Sequence, residues 1–192
     1  MLDSIIQLDT DLFLFLNESN SPFWDEIMYW VSHKFFWVPF YAFLVFLLFK
    51  KYGLQKAIIL TLLIIATFAL CNTLSVEAFK NVFHRLRPCH NQEISGLVHL
   101  VNDHCGGQWG FVSSHATNVF GLATITSFFL SKKIKYFSLL IFLWAAVVSY
   151  SRIYLGVHYP LDIFCGALLG ISLGSVVYSI SWLLGLRLKT AN

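Results

Sequence analysis

Five long apolar runs constrain this chain more than anything else in it: Phe35 to Phe49, Ala57 to Phe79, Ala116 to Leu130, Tyr136 to Leu155 and Leu161 to Leu186. A hydrocarbon core of about 30 Å takes about 20 apolar residues of helix, so each run approaches one crossing, the first and third by borrowing flanking residues. In lipid every backbone N–H and C=O must find its partner inside the protein, which makes helices the natural element for such runs. Composition agrees, since 57% of residues are hydrophobic and 12% charged, outside the range of ordinary soluble domains. The expectation is an all-α, multi-pass transmembrane helical bundle of about five spans, one membrane-embedded domain over 1–192. Its transmembrane core covers 34–186, with an outer loop at 80–114. Ahead of that core, Leu2 to Leu16 is interrupted by Asp9 and Asp11, and Phe23 to Val31 is rich in aromatics but holds Asp25 and Glu26. Both read as interfacial helices within 1–33, joined by the turn "NESNSP" at 17–22.

The cations orient the bundle. Lys50, Lys51 and Lys56 fall between the first two runs, Lys132, Lys133 and Lys135 between the third and fourth, and Arg187 and Lys189 after the fifth. The positive-inside rule puts these connections in the cytoplasm. The N-terminus, the loop from about 80 to 114 and the stretch 152–160 then face outward. Asp3 stands where a secretory signal carries Lys or Arg, and no cleavage pattern follows, so the first apolar stretch is expected to stay in the protein. The net charge of +3 is small, with no basic run interleaved with aromatics, and gives no case for nucleic acid. Cys71 and Cys165 read as core residues. Cys89 and Cys105 share the outer loop, where a disulfide and two free thiols both stay open. Trp24, Trp30, Trp37 and Trp109 are candidate interface anchors.

Lys34, Lys80, Arg85, Arg87 and Arg152 lie on the outer side, against the positive-inside rule. Anchoring at helix ends, pairing with Glu77 or Asp162, and binding an anion are the three readings. Three fragments bear on the choice. In "SRIYLGVHYPLD" (151–162), Pro160 suits the first turn of a helix, and His158 and Asp162 are four apart, within reach of each other on one helical face. A carboxylate there fixes one imidazole nitrogen as a donor and leaves the other free as nucleophile or base; the plainer reading is an interfacial His beside a capping Asp. In "GFVSSHATNVFG" (110–121), Ser113 or Ser114 caps a helix whose free N–H groups favour an anion, and His115 sits in its first turn as a possible proton donor. In "KNVFHRLRP" (80–88), Lys80 and Arg87 are two helical turns apart and share a side if the helix persists to Pro88. Their donors suit phosphate oxygens. His84 and Arg85 then fall on other faces and meet only lipid headgroups.

Together these fragments resemble the type 2 phosphatidic acid phosphatase family of integral-membrane lipid phosphatases, whose fold is shared with vanadium-dependent haloperoxidases. The family pattern runs K-x6-R-P, P-S-G-H, then S-R-x5-H-x3-D. Lys80, Arg87 and Pro88 match the first part, and Ser151, Arg152, His158 and Asp162 the third. In the middle part Ser113 and His115 match, with Val112 and Ser114 where the family usually has Pro and Gly. The resemblance covers roughly residues 20 to 186. It implies catalytic roles for His158 as nucleophile, Asp162 as its orienting acid and His115 as proton donor. Lys80, Arg87, Ser113, Ser114 and Arg152 would bind the phosphate oxygens, and the family needs no metal or other cofactor.

The implied function is a metal-independent lipid phosphatase in a bacterial cytoplasmic membrane, its site facing the periplasm. Substrate candidates are undecaprenyl diphosphate, phosphatidylglycerophosphate, phosphatidic acid and the phosphorylated glucosamines of lipid A. Its partners are then the lipid substrate and the bilayer, with no obligate protein partner inferred. Two rivals stand beside it. A metal-dependent hydrolase would use His84, His90, His99, Asp103, His104, Cys89 and Cys105 of the outer loop, although no two histidines have the i, i+4 spacing of a zinc peptidase. A non-enzymatic transporter or scaffold would want polar groups at midplane depth, where Asn72, Thr73 and the Ser/Thr of the last run are the main candidates.

Overall fold

The computed structural model describes residues 2–183, and within them each apolar run is mainly helical. The helices are α1 (Leu2–Glu18), α2 (Pro22–Ser32), α3 (Val38–Tyr52), α4 (Leu54–Leu74), α5 (Asn81–Phe83), α6 (Ser114–Leu130), α7 (Phe137–Tyr154) and α8 (Pro160–Leu183). A π-helical segment, Ser75–Lys80, joins α4 to α5 without a break. Arg187 and Lys189 lie outside the described residues.

Local chemistry sets the boundaries. Ser21 caps α2 by accepting from the Trp24 N–H, with Pro22 at the first helical position, where its missing N–H costs nothing. Gly53, at φ +75°, separates α3 from α4, a conformation with little steric cost only for glycine. The helix carrying Lys80 ends at Phe83, because His84 turns left-handed at φ +48°. The expected continuation to Pro88 is therefore wrong. Residues 85–87 run extended instead and pair with 108–110 through an isolated antiparallel bridge between Leu86 and Trp109.

Three helical stretches are long and apolar enough to cross a membrane: Leu54–Phe83, Phe137–Tyr154 and Pro160–Leu183. With 15 and 17 residues, α3 and α6 reach about 23 and 26 Å at the helical rise of about 1.5 Å per residue, less than a hydrocarbon core. Helix α6 sits in the centre, with eleven of its residues buried, and packs against α4, α7 and α8. The seam between α6 and α8 is made by backbone rather than by side chains. A Cβ on Gly166 would stand 2.7 Å from the Ser113 carbonyl oxygen, one on Gly174 2.9 Å from that of Gly121, and one on Gly170 would run into that of Thr117. Small residues at such intervals let helices in lipid approach until their backbones touch. Trp37 is no free anchor: its ring packs on Trp144 and Phe40, and its indole N–H donates to the Val31 carbonyl.

The N-terminal helices and the outer loop are fastened by polar contacts. The buried Asn17 amide donates to the carbonyls of His99, Ile153 and Tyr154, at 3.1, 3.2 and 2.8 Å, and its oxygen accepts the His99 N–H at 2.8 Å. Asp25 accepts from Tyr154 Oη at 2.8 Å and pairs with His99 Nε2 at 2.9 Å. Cys89 and Cys105 are joined in a disulfide, with Cα atoms 6.0 Å apart, which closes the question the sequence left open.

Candidate active site

Three chain segments meet at the end of the bundle that holds the outer loop. The first comes from the turn between α7 and α8. Gly156, at φ +77°, reverses the chain beneath the loop backbone, where a Cβ would stand 2.6 Å from the His99 carbonyl oxygen. That reversal lets α7 end at Tyr154, with Arg152 in its last turn, and α8 begin at Pro160, with His158 between them. His158 is 1% exposed and Asp162 fully buried. Asp162 Oδ2 lies 3.3 Å from His158 Nδ1 and accepts the Tyr159 N–H at 3.0 Å. The carboxylate thus holds the proton on Nδ1 and leaves Nε2 with its lone pair, as the four-residue spacing anticipates. Burial lowers the pKa of His158 well below the usual imidazole value, and the charges of Arg87, Lys80, Arg152 and Arg85 push it the same way.

The second segment opens α6. Ser113 is the N-cap, its hydroxyl accepting the Ala116 N–H. Its own N–H donates to the Asp162 carbonyl at 3.0 Å, tying the start of α6 to the start of α8. His115 follows in the first turn, and the nearby charges acting on it are those of Arg152, His158, Arg87 and Lys80. The Ser114 hydroxyl accepts from Ser75 at 2.8 Å; it is thus engaged with α4 and its extension.

The third segment leaves the π-helical stretch. Lys80 Nζ and Arg87 Nε both donate to the Trp109 carbonyl, at 3.2 and 3.5 Å, so the two cations do stand side by side. The bridge at Leu86 brings them together, not a shared helical face. Arg87 Nη1 also donates to the Cys105 carbonyl at 2.7 Å, beside the disulfide. Burial lowers the Arg87 pKa, against the pull of Asp162. Arg152 donates to the Ser32 hydroxyl of α2, while its Nε is buried with no hydrogen-bond partner.

Lys80, Arg87 and Arg152 have no carboxylate within ion-pair distance among the described residues. Arg85 is the opposite case, and the expectation that it meets only headgroups is overturned. Its two Nη atoms donate to Asp162 Oδ1 at 2.8 Å and to Asp9 Oδ2 at 2.6 Å, and its guanidinium covers the Tyr159 ring at 4.1 Å. Burial works against the Arg85 charge, but the two carboxylates hold its pKa above the ordinary value. Asp9 was also missed as a site residue, though an acid interrupting an apolar helix was a signal. His84 faces Trp109, ring centres 4.9 Å apart.

Four of the seven outer-loop residues suggested for a metal are otherwise engaged. The two cysteines are bonded to each other, His99 pairs with Asp25, and His90 lies against the Gly106 carbonyl. Beside the site, a groove of about 620 Å³ runs between α1 and the loop, lined by Ile6, Leu14, Phe83, Ile94, Phe111 and Tyr159 among others.

Three bare cations, a helix N-terminus and an imidazole with a free nitrogen form a receptor for a tetrahedral anion. Comparison with known proteins agrees with that chemistry. Residues 56–185 match the family model of the PAP2 superfamily. The chain is 37% identical over 191 residues to a lipid A 4'-phosphatase of Bacteroides thetaiotaomicron, covering 99% of this chain and 84% of that one. It is 34% identical over 179 residues to a lipid A 4'-phosphatase of Porphyromonas gingivalis, covering 93% and 75%. The fold is similar to the crystal structure of a transmembrane PAP2 type phosphatidylglycerolphosphate phosphatase from Bacillus subtilis, with a TM-score of 0.70 at 20% identity over 93% of this chain and 87% of that one.

Proposed function

This chain belongs to the PAP2 superfamily and is a membrane lipid phosphatase, and from that premise we propose that it removes the 4'-phosphate of lipid A through a phosphohistidine. The observation that carries the mechanism is the unequal pairing of the cations. Arg85 is neutralised by two carboxylates, whereas Lys80, Arg87 and Arg152 surround His158 without an acid of their own. Half-buried cations without a carboxylate of their own are best offset by an anion that joins them. The two lipid A 4'-phosphatase relatives, each aligned over most of its length, support the choice of substrate.

In the proposed reaction His158 Nε2 attacks phosphorus while its Nδ1–H stays on Asp162. The N–P bond forms as the bond to the sugar oxygen breaks, and His115 protonates that oxygen as it leaves. Water, with His115 now as base, then cleaves the N–P bond and releases inorganic phosphate. Lys80, Arg87, Arg152 and the N–H groups at the start of α6, with Ser113 as cap, bind the non-bridging oxygens and offset charge in the transition state. Ser114 borders the same oxygens.

We read α3, α4, α6, α7 and α8, the helices of the five apolar runs, as crossing the membrane, with the site on the periplasmic side of a bacterial cytoplasmic membrane. The lysines at 50, 51, 132, 133 and 135 lie at the ends of the helices remote from the site, in keeping with the positive-inside rule. A disulfide beside the site suits an oxidising compartment.

The test is phosphate release by the purified protein from lipid A, undecaprenyl diphosphate, phosphatidylglycerophosphate and phosphatidic acid. Lipid A should turn over fastest, and faster release from any other lipid refutes the substrate assignment. His158→Ala should abolish turnover and retain binding. His115→Ala should slow substrates with poor leaving groups most, and an equal loss with every leaving group removes it as the acid.

A further inference from the structure

The carboxylate that orients His158 is gripped from the far end of the chain. Each oxygen of Asp162 is committed, Oδ2 to the Tyr159 N–H and His158 Nδ1, Oδ1 to Arg85. Arg85 is in turn held by Asp9 of α1, 6% exposed, whose second oxygen accepts the Leu161 N–H at 2.8 Å. Asp9 therefore caps α8 and pins the arginine that pins Asp162. The Tyr159 ring under the guanidinium fixes its plane. Buried ion pairs are poor sources of stability, because desolvation offsets their attraction, so a three-member chain ending on the carboxylate beside the nucleophile calls for another explanation. Asp9 also precedes the stretch matched by the family model, which starts at residue 56.

We infer that Asp9 and Arg85 form a positioning clamp, which sets Asp162 and through it the His158 imidazole, making α1 a working part of the phosphatase. This rests on the reading of His158 as nucleophile. Neither residue touches the reacting atoms; both act through Asp162. The charged and titratable groups facing the His158–Asp162 pair are Lys80, Arg85 and Arg87 from the chain after α4, His115 from α6, Arg152 from α7, Tyr159 from the turn, Cys165 from α8 and Asp9 from α1.

The clamp predicts effects that a purely structural ion pair would not show. Arg85→Gln takes a positive charge away from His158 and frees Asp162 to pair with it more strongly. Both changes favour the imidazolium, so the acid limb of the kcat profile should move to higher pH. Asp9→Asn removes a negative charge and should move the limb slightly the other way, with a smaller loss of kcat. For Arg85→Gln we expect kcat to fall about 10- to 100-fold with KM within about threefold, the scale seen when partners that orient a working imidazole are removed. Arg85→Lys, which keeps the charge but not the fork, should return the limb to its place and restore only part of kcat.

The experiment measures kcat, KM and pH profiles on lipid A for wild type and the three variants, together with orthovanadate affinity by titration calorimetry. A kcat within about twofold of wild type in Arg85→Gln, or a lower kcat with an unmoved limb in both Arg85→Gln and Asp9→Asn, overturns the clamp. If wild type releases no phosphate from lipid A, the substrate assignment fails, and vanadate decides the clamp alone. Weaker binding by about tenfold in Arg85→Gln supports it, and equal binding overturns it. Should Arg85→Gln not fold, Arg85→Lys and Asp9→Asn carry the same readouts.

Discussion

The back of the site and its front are held in different ways. Behind it, α8 lies on α6 along Gly166, Gly170 and Gly174, backbone against backbone. In front, α1, α2 and the outer loop are joined by the Asn17 amide, the Asp25 network, the Arg85 ion pairs and a disulfide. The contrast follows from the solvent on each side. Within a bilayer burying apolar side chains gains little, so close packing of small residues must hold helices together. At the interface water competes for every polar group, and the loop has little core of its own, so directed bonds and a covalent link fix it.

The comparison breaks most sharply at Gly170. Leucine there would meet the Thr117 carbonyl and Gly121 N, neither of which can turn aside, so the cost should reach or exceed the top of the roughly 1–3 kcal/mol typical of overpacking. Gly170→Leu should give almost no monodisperse protein on size exclusion in detergent; a normal yield would show that the seam can open. Next, Cys89→Ser/Cys105→Ser should destabilise by about 3 kcal/mol, the value expected for a closed loop of this length. Because Arg87 donates to the Cys105 carbonyl, KM should rise more than kcat falls, and a reductant should reproduce the effect on wild type. If reduction instead dissolves the whole helical signal in circular dichroism, front and back are not separable units.

Asn17→Ala should cost less, about 2 kcal/mol, since it strands buried carbonyls without breaking a covalent link. Thermal unfolding in detergent measures it, and an unchanged midpoint would mean that α1 is held by its apolar contacts and Asp9 without help from Asn17. The smallest effect is with pH. An imidazole at its ordinary 6.5 would be only about one quarter neutral at pH 6. His158 is depressed well below that value by burial and by the surrounding cations, so its neutral form persists as pH falls and is lost only on passing the lowered pKa. The acid limb should therefore lie below pH 6, and a drop of about threefold in initial rate from pH 7 to 6, as an ordinary imidazole would give, would mean that the cations do not act on His158.

Much of this was legible in the sequence, for stated reasons. The helices follow from apolar runs, because lipid leaves the backbone few alternatives. His158 and Asp162 were paired correctly because Pro160 marks the helix start and four residues is a fixed distance there. Lys80 and Arg87 were rightly joined on a wrong premise: nothing in His84 announces a left-handed turn, which histidine adopts uncommonly, nor does "SVEAFK" announce a π-helix. Arg85 and Asp9 were unreadable as partners, being 76 residues apart, in a contact that depends on how α1 crosses the bundle. The disulfide was undecidable because loop spacing alone does not bring two Cα atoms within reach.

One main-chain contact fixes the relation between the two histidines. The Ser113 N–H that meets the Asp162 carbonyl belongs to the segment delivering His115, and the carbonyl to the segment delivering His158. The gap between the proposed proton donor and the proposed nucleophile is therefore spanned by a strut that side-chain replacement leaves standing. In the proposed reaction that strut holds the two imidazoles in one register through both halves of the turnover.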